Sequence, residues 1–363
     1  MNAPYLGRFG GQENPVRRSM HLMLAAVGLA FASAVSAQTN APAIQYEAED
    51  ALSGFPNDIH LGEAAGVARN SAGEIFVYTR TGNPSLSLGT SRYMSRSGSR
   101  VFKFDSRGRY EREIGQEIYG ALFAQQVRVD RDDNIWIVDQ MSGQVVKFDP
   151  AGRIQMVLSR KPEAMQLPAN PGGGRPGRGP SEGESFRGPT DVAWDSQGNI
   201  YVADGIQNAR IAKYDSEGRW IANLGERGSM PGQFDVVHGL AIDAQDRLYV
   251  ADYGNERIQV LDSSGNFIRE MSGFGAPMAI CITPGPNQLL YVSNSNQATD
   301  PFIDGEIYEA RLDGTITGRF GEAGKMIGQF GIVNAIDCRD PSELLIGELG
   351  NWRVQRVHLR PME

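Results

Sequence analysis

Residues 191–225, DVAWDSQGNIYVADGIQNARIAKYDSEGRWIANLG, and residues 239–273, GLAIDAQDRLYVADYGNERIQVLDSSGNFIREMSG, follow one template. Each reads as an apolar strand, a polar turn, a second apolar strand ending in Asp, a short loop, a third strand, an Asp-x-x-Gly-x turn and a fourth strand. Residues 126–159, QVRVDRDDNIWIVDQMSGQVVKFDPAGRIQMVLS, repeat it closely. GVARNSAGEIFVYTR from Gly66 opens another copy, whose later strands return as SRVFKFDSRGRYEREIG from Ser99. AICITPGPNQLLYVSNSN from Ala279 and NAIDCRDPSELLIGELGNWRVQRVHL from Asn334 complete the set.

The aligned first-strand positions are Val67, Val127, Val192, Leu240, Ile280 and Ile336, with spacings of 60, 65, 48, 40 and 56 residues. A four-stranded unit of about 40 residues is the mark of a β-propeller blade. Such a sheet has two apolar faces, and packing around a ring covers both. The expected fold is therefore all-β: a six-bladed propeller of four-stranded blades. The last copy reaches only its third strand at residues 353–359, whereas residues 43–48, AIQYEA, have strand composition and no other partner. They are expected to complete the sixth blade and close the ring. Two insertions interrupt the pattern, residues 81–99 and the Gly/Pro-rich residues 161–188, the second read as a mobile loop.

Composition agrees. With 44 Gly and 19 Pro among 363 residues, and 21% charged residues, the chain is neither a helical bundle nor an acidic disordered polymer. A formal net charge of −8 gives no electrostatic basis for nucleic-acid binding. Arg17 and Arg18 precede the apolar residues 23–35, and small residues Val35 and Ala37 precede Gln38. That arrangement predicts a secretory signal over residues 1–37, cut after Ala37, with no membrane span remaining and a periplasmic or secreted destination. The segment carries three Arg and one Glu, so the mature propeller, residues 38–363, stands near −10. The only cysteines, Cys281 and Cys338, lie one place out of phase in the repeat. Side chains on opposite sheet faces predict two buried free thiols.

The runs Asn208-Ala209-Arg210-Ile211, Asn255-Glu256-Arg257-Ile258 and Asn351-Trp352-Arg353-Val354 resemble NHL repeats. Leu61-Gly62 with Gly66-Val67-Ala68, FRGPTDVA over residues 186–193, and Pro231-Gly232-Gln233-Phe234 leading into His238 resemble the peptidyl-α-hydroxyglycine α-amidating lyases. That resemblance implies a channel zinc held by three His at inner-strand entrances, with a Tyr, two Arg and a Met assisting release of glyoxylate and a peptide amide, and calcium deeper in the channel. The six entrance positions here are Ala65, Gln125, Thr190, His238, Met278 and Asn334. The implied zinc positions are Gln125, His238 and Asn334, of which His238 alone is imidazole. Neutral amides are weak zinc donors, so zinc at full affinity is not expected, and a divalent metal on His238 with Gln125 and Asn334 remains the alternative. The implied Tyr falls on Ile206 with Gln207 beside it, the Met on Ile332, the calcium carboxylate on Ala335, and the two Arg on Arg80 and Tyr253.

The expected function is thus a binding propeller, lyase-like in fold. Arg80, Gln125, His238, Tyr253 and Asn334 would line a mouth suited to a small polar or carboxylate ligand, a peptide or a protein partner. The alternative is a metal-dependent lyase or hydrolase using Arg80 and Tyr253 catalytically. The recurring pairs Asp204/Arg210, Asp252/Arg257 and Glu348/Arg353 read as structural ion pairs, and Asp105, Asp149, Asp215 and Asp262 as turn formers. Trp136, Trp194, Trp220 and Trp352 read as packing residues. Motifs of other reaction classes, such as HExxH, GxSxG, a P-loop or CxxC, are missing from the sequence.

Overall fold

The computed structural model describes residues 41–81, 86–87, 93–94, 98–116, 118–159, 185–295 and 304–360. The predicted signal over residues 1–37 and most of both insertions lie outside the described residues.

Among the described residues, six four-stranded antiparallel sheets form the blades, each following the expected order from inner to outer strand, beside two small two-stranded sheets. The inner strands are Glu63–Arg69, Ala124–Val129, Asp191–Trp194, Val237–Ile242, Pro277–Ile282 and Val333–Asp340. Each packs against the next, and the sixth packs against the first, which closes the ring. Crowding of inner strands explains Gly66: a Cβ there would sit 2.2 Å from the Val127 amide nitrogen.

Burial follows from this arrangement. Second strands lie between neighbouring blades and are buried on both faces, as in Ile200–Asp204 and Leu248–Asp252. That is why IYVAD and LYVAD are continuous apolar runs rather than alternating ones. Fourth strands form the rim, and Trp220–Leu224 and Phe267–Met271 are partly exposed.

Asp105, Asp149, Asp215 and Asp262 each accept the backbone N–H four residues on, as the turn reading required. On the same face, turns of neighbouring blades are stitched together: the Ser71 amide donates to Asp133 at 2.8 Å, and the Ser196 amide to Asp246 at 2.7 Å.

The mouth face carries a second repeated device. Asp139, Asp204, Asp252 and Glu348, each ending a second strand, accept amide N–H groups from the loop that leads into the neighbouring inner strand. Asn294 does the same through Oδ1 for Ala276, and in the first blade the Thr79 hydroxyl donates to the Leu61 carbonyl. In three blades an Arg from the third strand neutralises the carboxylate: Arg210–Asp204 at 2.9 Å, Arg257–Asp252 at 2.8 Å and Arg353–Glu348 at 2.8 Å. These are the structural ion pairs expected from the sequence.

The sixth blade is completed by Tyr46–Asp50, which runs antiparallel to Arg353–Leu359 from Tyr46 opposite Leu359 to Asp50 opposite Gln355. The closing strand sits a few residues later than residues 43–48, because Ala43 instead bridges to Arg319 of the fifth blade. Two other expectations are corrected. Trp136 is buried and lies 5.2 Å from the Trp194 ring, but Trp220 and Trp352 are 46% and 64% exposed, on a rim strand and a mouth-face loop.

Cys281 and Cys338 are joined in a disulfide, with their Cα atoms 6.0 Å apart, and are not free thiols. The out-of-phase placement does put them on opposite sheet faces. In a ring, however, one face of a blade meets the opposite face of the next, and these cysteines occupy adjacent blades.

The bridge closes a loop of 57 residues between the fifth and sixth blades. Replacing both cysteines by Ser should lower unfolding stability by about 2–4 kcal/mol. Urea unfolding of the oxidised protein against the double variant checks this, and equal midpoints would show that the bridge adds nothing to stability.

Candidate functional site

The mouth is built from two sets of positions. The first is the entrance of each inner strand: Ala65, Gln125, Thr190, His238, Met278 and Asn334, all buried. The second follows the loop-binding residue of each second strand. Register aligns Thr79, Asp139 and Asp252 as equivalent, so Arg80 and Tyr253 occupy the same place in their blades. The structure brings Arg80, Gln125, His238, Tyr253 and Asn334 into one linked cluster.

Gln125 is its centre. The Arg80 Nη2 donates to Gln125 Oε1 at 3.0 Å, and Gln125 Nε2 lies 3.2 Å from His238 Nε2. Guanidinium only donates, so the amide oxygen must face Arg80 and the amide nitrogen must face the imidazole. An NH₂ group also only donates, so His238 Nε2 accepts and the proton sits on Nδ1. The ring also hydrogen-bonds the Met278 backbone. Burial holds the imidazole neutral, with its pKa lowered to about 4. The Tyr253 ring packs 6.0 Å from that of His238.

Arg80 is held on three sides. It donates to the Ala124 carbonyl at 2.8 Å, pairs with Glu63 at 3.0 Å, and stacks 3.7 Å from the centroid of Phe123. Burial lowers its pKa from the ordinary arginine value, with the Glu63 carboxylate opposing that shift. Glu63 and Phe123 were missed in the sequence. Glu63 follows Leu61-Gly62 and Phe123 stands two residues before Gln125, but neither position carries the same residue from blade to blade. Asn334 reaches over the first blade to the second, donating through Nδ2 to the Ala65 carbonyl and, at 2.9 Å, to the Gln125 carbonyl. Its Oδ1 is buried without a hydrogen-bond partner. Such an atom costs stability unless water or a ligand donates to it.

These residues do not fit a three-imidazole zinc centre. One lone pair of the set belongs to imidazole, and it already accepts from Gln125. Among the described residues no group of three His, Cys, Asp or Glu side chains could hold a metal. The other positions implied by resemblance are equally unreactive: Ile206 and Ile332 are aliphatic, and Ala335 is buried in the core.

An NHL repeat family model matches residues 234–261, the segment that enters the fourth blade through His238 and leaves on its third strand. The fourth blade thus carries an NHL repeat within a six-bladed β-propeller. It is 30% identical over 234 residues to peptidyl-glycine alpha-amidating monooxygenase A of Xenopus laevis, covering 62% of this chain and 22% of that protein. It is 28% identical to a probable peptidyl-alpha-hydroxyglycine alpha-amidating lyase of Caenorhabditis elegans, covering 55% of each. The chain thus spans about a fifth of the first relative and about half of the second. In fold it matches a streptogramin B lyase with a TM-score of 0.54 at 12% identity, covering 87% of this chain and 98% of that one. A gluconolactonase from Xanthomonas campestris gives 0.55 at 13%, covering 88% and 95%.

The His238 pKa lies below its unfolded value of about 6.5, so the unfolded chain binds the proton first. Stability is then full above pH 6.5 and falls, by roughly 3 kcal/mol, as pH drops towards 4. His238→Gln should remove that part of the acid sensitivity in unfolding measured across this window. Separately, Gln125→His with Asn334→His should bind one zinc per chain by elemental analysis after dialysis, where the parent protein retains none. No zinc in the double variant would show that the three side chains do not converge.

Proposed function

We propose that this NHL propeller is an exported binding protein whose mouth takes a small polar ligand bearing a carboxylate, without the zinc chemistry of the amidating lyases. The observation that carries the reading is the Arg80–Gln125–His238 chain. It spends the imidazole lone pair on an amide while holding a cation, stacked on Phe123, at the entrance. Among the described residues, three of the five guanidinium N–H groups of Arg80 are engaged, which leaves two for a carboxylate. The unpartnered Asn334 Oδ1 supplies an acceptor for a hydroxyl or amide donor on the same ligand.

Export rests on the signal-like residues 1–37, and it is supported by the disulfide, a bond that persists in oxidising compartments. Among the described residues no helix is long and apolar enough to cross a membrane. Residues 1–37 as a removed signal and residues 38–363 as the mature propeller belong to this proposal.

A second reading, a lyase or hydrolase, is favoured by the homology to amidating lyases and by Tyr253 beside His238. One pair of measurements separates the two. Calorimetric titration with N-acetylglycine should show binding that Arg80→Gln weakens at least tenfold, the loss of about 1.4 kcal/mol. Release of glyoxylate from an α-hydroxyglycine peptide with zinc added should stay at background. Sustained release that depends on His238 and Tyr253 would replace the binding reading with the enzymatic one.

A further inference from the structure

Below the cup that these mouth residues form, the Arg128 side chain crosses the channel. Arg128 lies on the inner strand of the second blade, three residues past Gln125. Its Nε and Nη2 grip Asp191 of the third blade at 2.9 and 2.6 Å. Its Nη1 reaches the Ile336 carbonyl of the sixth blade and Nη2 the Ile280 carbonyl of the fifth, both at 3.4 Å. Asp191 is fully buried and also accepts the amides of Val192, at 2.8 Å, and of Leu240 in the fourth blade, at 2.9 Å. A single guanidinium therefore sits among a buried carboxylate and inward carbonyls drawn from opposite sides of the ring.

We propose that Arg128 is the internal cation of this channel. It closes the passage beneath the mouth, cancels the charge of Asp191, and so leaves Arg80 to make the cup selective for anions. The inference deepens the proposed binding function and rests on it for the ligand's charge. The role of Arg128 itself is tested without any carboxylate.

A carboxylate with inward carbonyls is a set of hard oxygen donors, which a cation must satisfy. Arginine does so while staying charged at any ordinary pH and presenting a fixed fork that matches a carboxylate. Without it, Asp191 would be an uncompensated buried charge, a state that proteins avoid by pairing the group or binding an ion. Filling the cage from within the chain makes a metal in that position unnecessary. It also makes the cup blind, since a ligand enters and leaves by the mouth alone.

The experiment compares the parent protein with Arg128→Met and with Arg128→Met/Asp191→Asn, using calcium alone as the probe. Thermal unfolding and calorimetric titration are recorded with calcium and after chelation. The parent protein should ignore both treatments. Arg128→Met should melt several degrees lower, bind one calcium per chain and recover much of the loss on binding it. The double variant, in which the cage is neutral, should fold and bind no calcium. If Arg128→Met folds only when calcium is present, that rescue counts as the expected result. A parent protein whose melting point depends on calcium, an Arg128→Met protein that is unaffected or ignores calcium, or calcium uptake by the double variant would overturn the proposal. Loss of N-acetylglycine binding in the parent protein would instead strike only the ligand assignment.

Discussion

The carboxylate that ends the second strand is the contact on which the mouth depends. A propeller blade delivers its inner strand from a loop, and a loop entrance is ordinarily the least certain part of a fold. Here Asp139 takes the amides of Leu122 and Phe123, Asp252 that of Asp235 and Glu348 that of Gly331. The side chains that matter follow within two or three residues: Gln125, His238 and Asn334. Asp204 and Arg210 are both fully buried, so removing either alone would strand a charge in the core, an effect on the order of 3–5 kcal/mol. The pairs are thus retained as matched units, and the geometry of the mouth is set by backbone held to carboxylate rather than by the mouth residues themselves.

Given that scaffold, chemistry at the centre is decided by few atoms. An amide at Gln125 rather than an imidazole turns a potential metal ligand into a hydrogen-bond bridge. The bridge polarises in one direction, from the Arg80 guanidinium through the amide to the neutral His238. A six-bladed ring does not by itself specify an activity, because function lies in the side chains set on the fold. The Arg128–Asp191 pair extends the same logic below the cup, where protein charge stands among inward oxygens and links five of the six blades.

Much of this was legible in residues alone. Repeats as regular as residues 191–225 and 239–273 declare both the blade and its number, and the orphan strand before the first copy declares the closure. Arg80, Gln125, His238, Tyr253 and Asn334 are singled out by the lyase resemblance, and they cluster because equivalent positions in a repeat stand around one axis. What register does not give is contact across the ring. The disulfide was misread because phase within a sheet was used where the relation between neighbouring sheets decides. Arg128 and Asp191 went unnoticed because their partnership joins strands 63 residues apart, each looking like an ordinary charge on a strand. Trp220 and Trp352 were assigned to packing by residue type, yet they sit on a rim strand and a loop where no neighbouring blade covers them.

The imidazole of His238 is neutral, carries its proton on Nδ1 and gives its Nε2 lone pair to Gln125. Nitrogen-15 NMR of the imidazole at neutral pH tests this directly, before and after addition of zinc. The expected result is an unprotonated, hydrogen-bonded Nε2 whose resonance zinc does not move, and which shifts in Gln125→Ala. A protonated Nε2, or a resonance displaced by stoichiometric zinc in the parent protein, would contradict it.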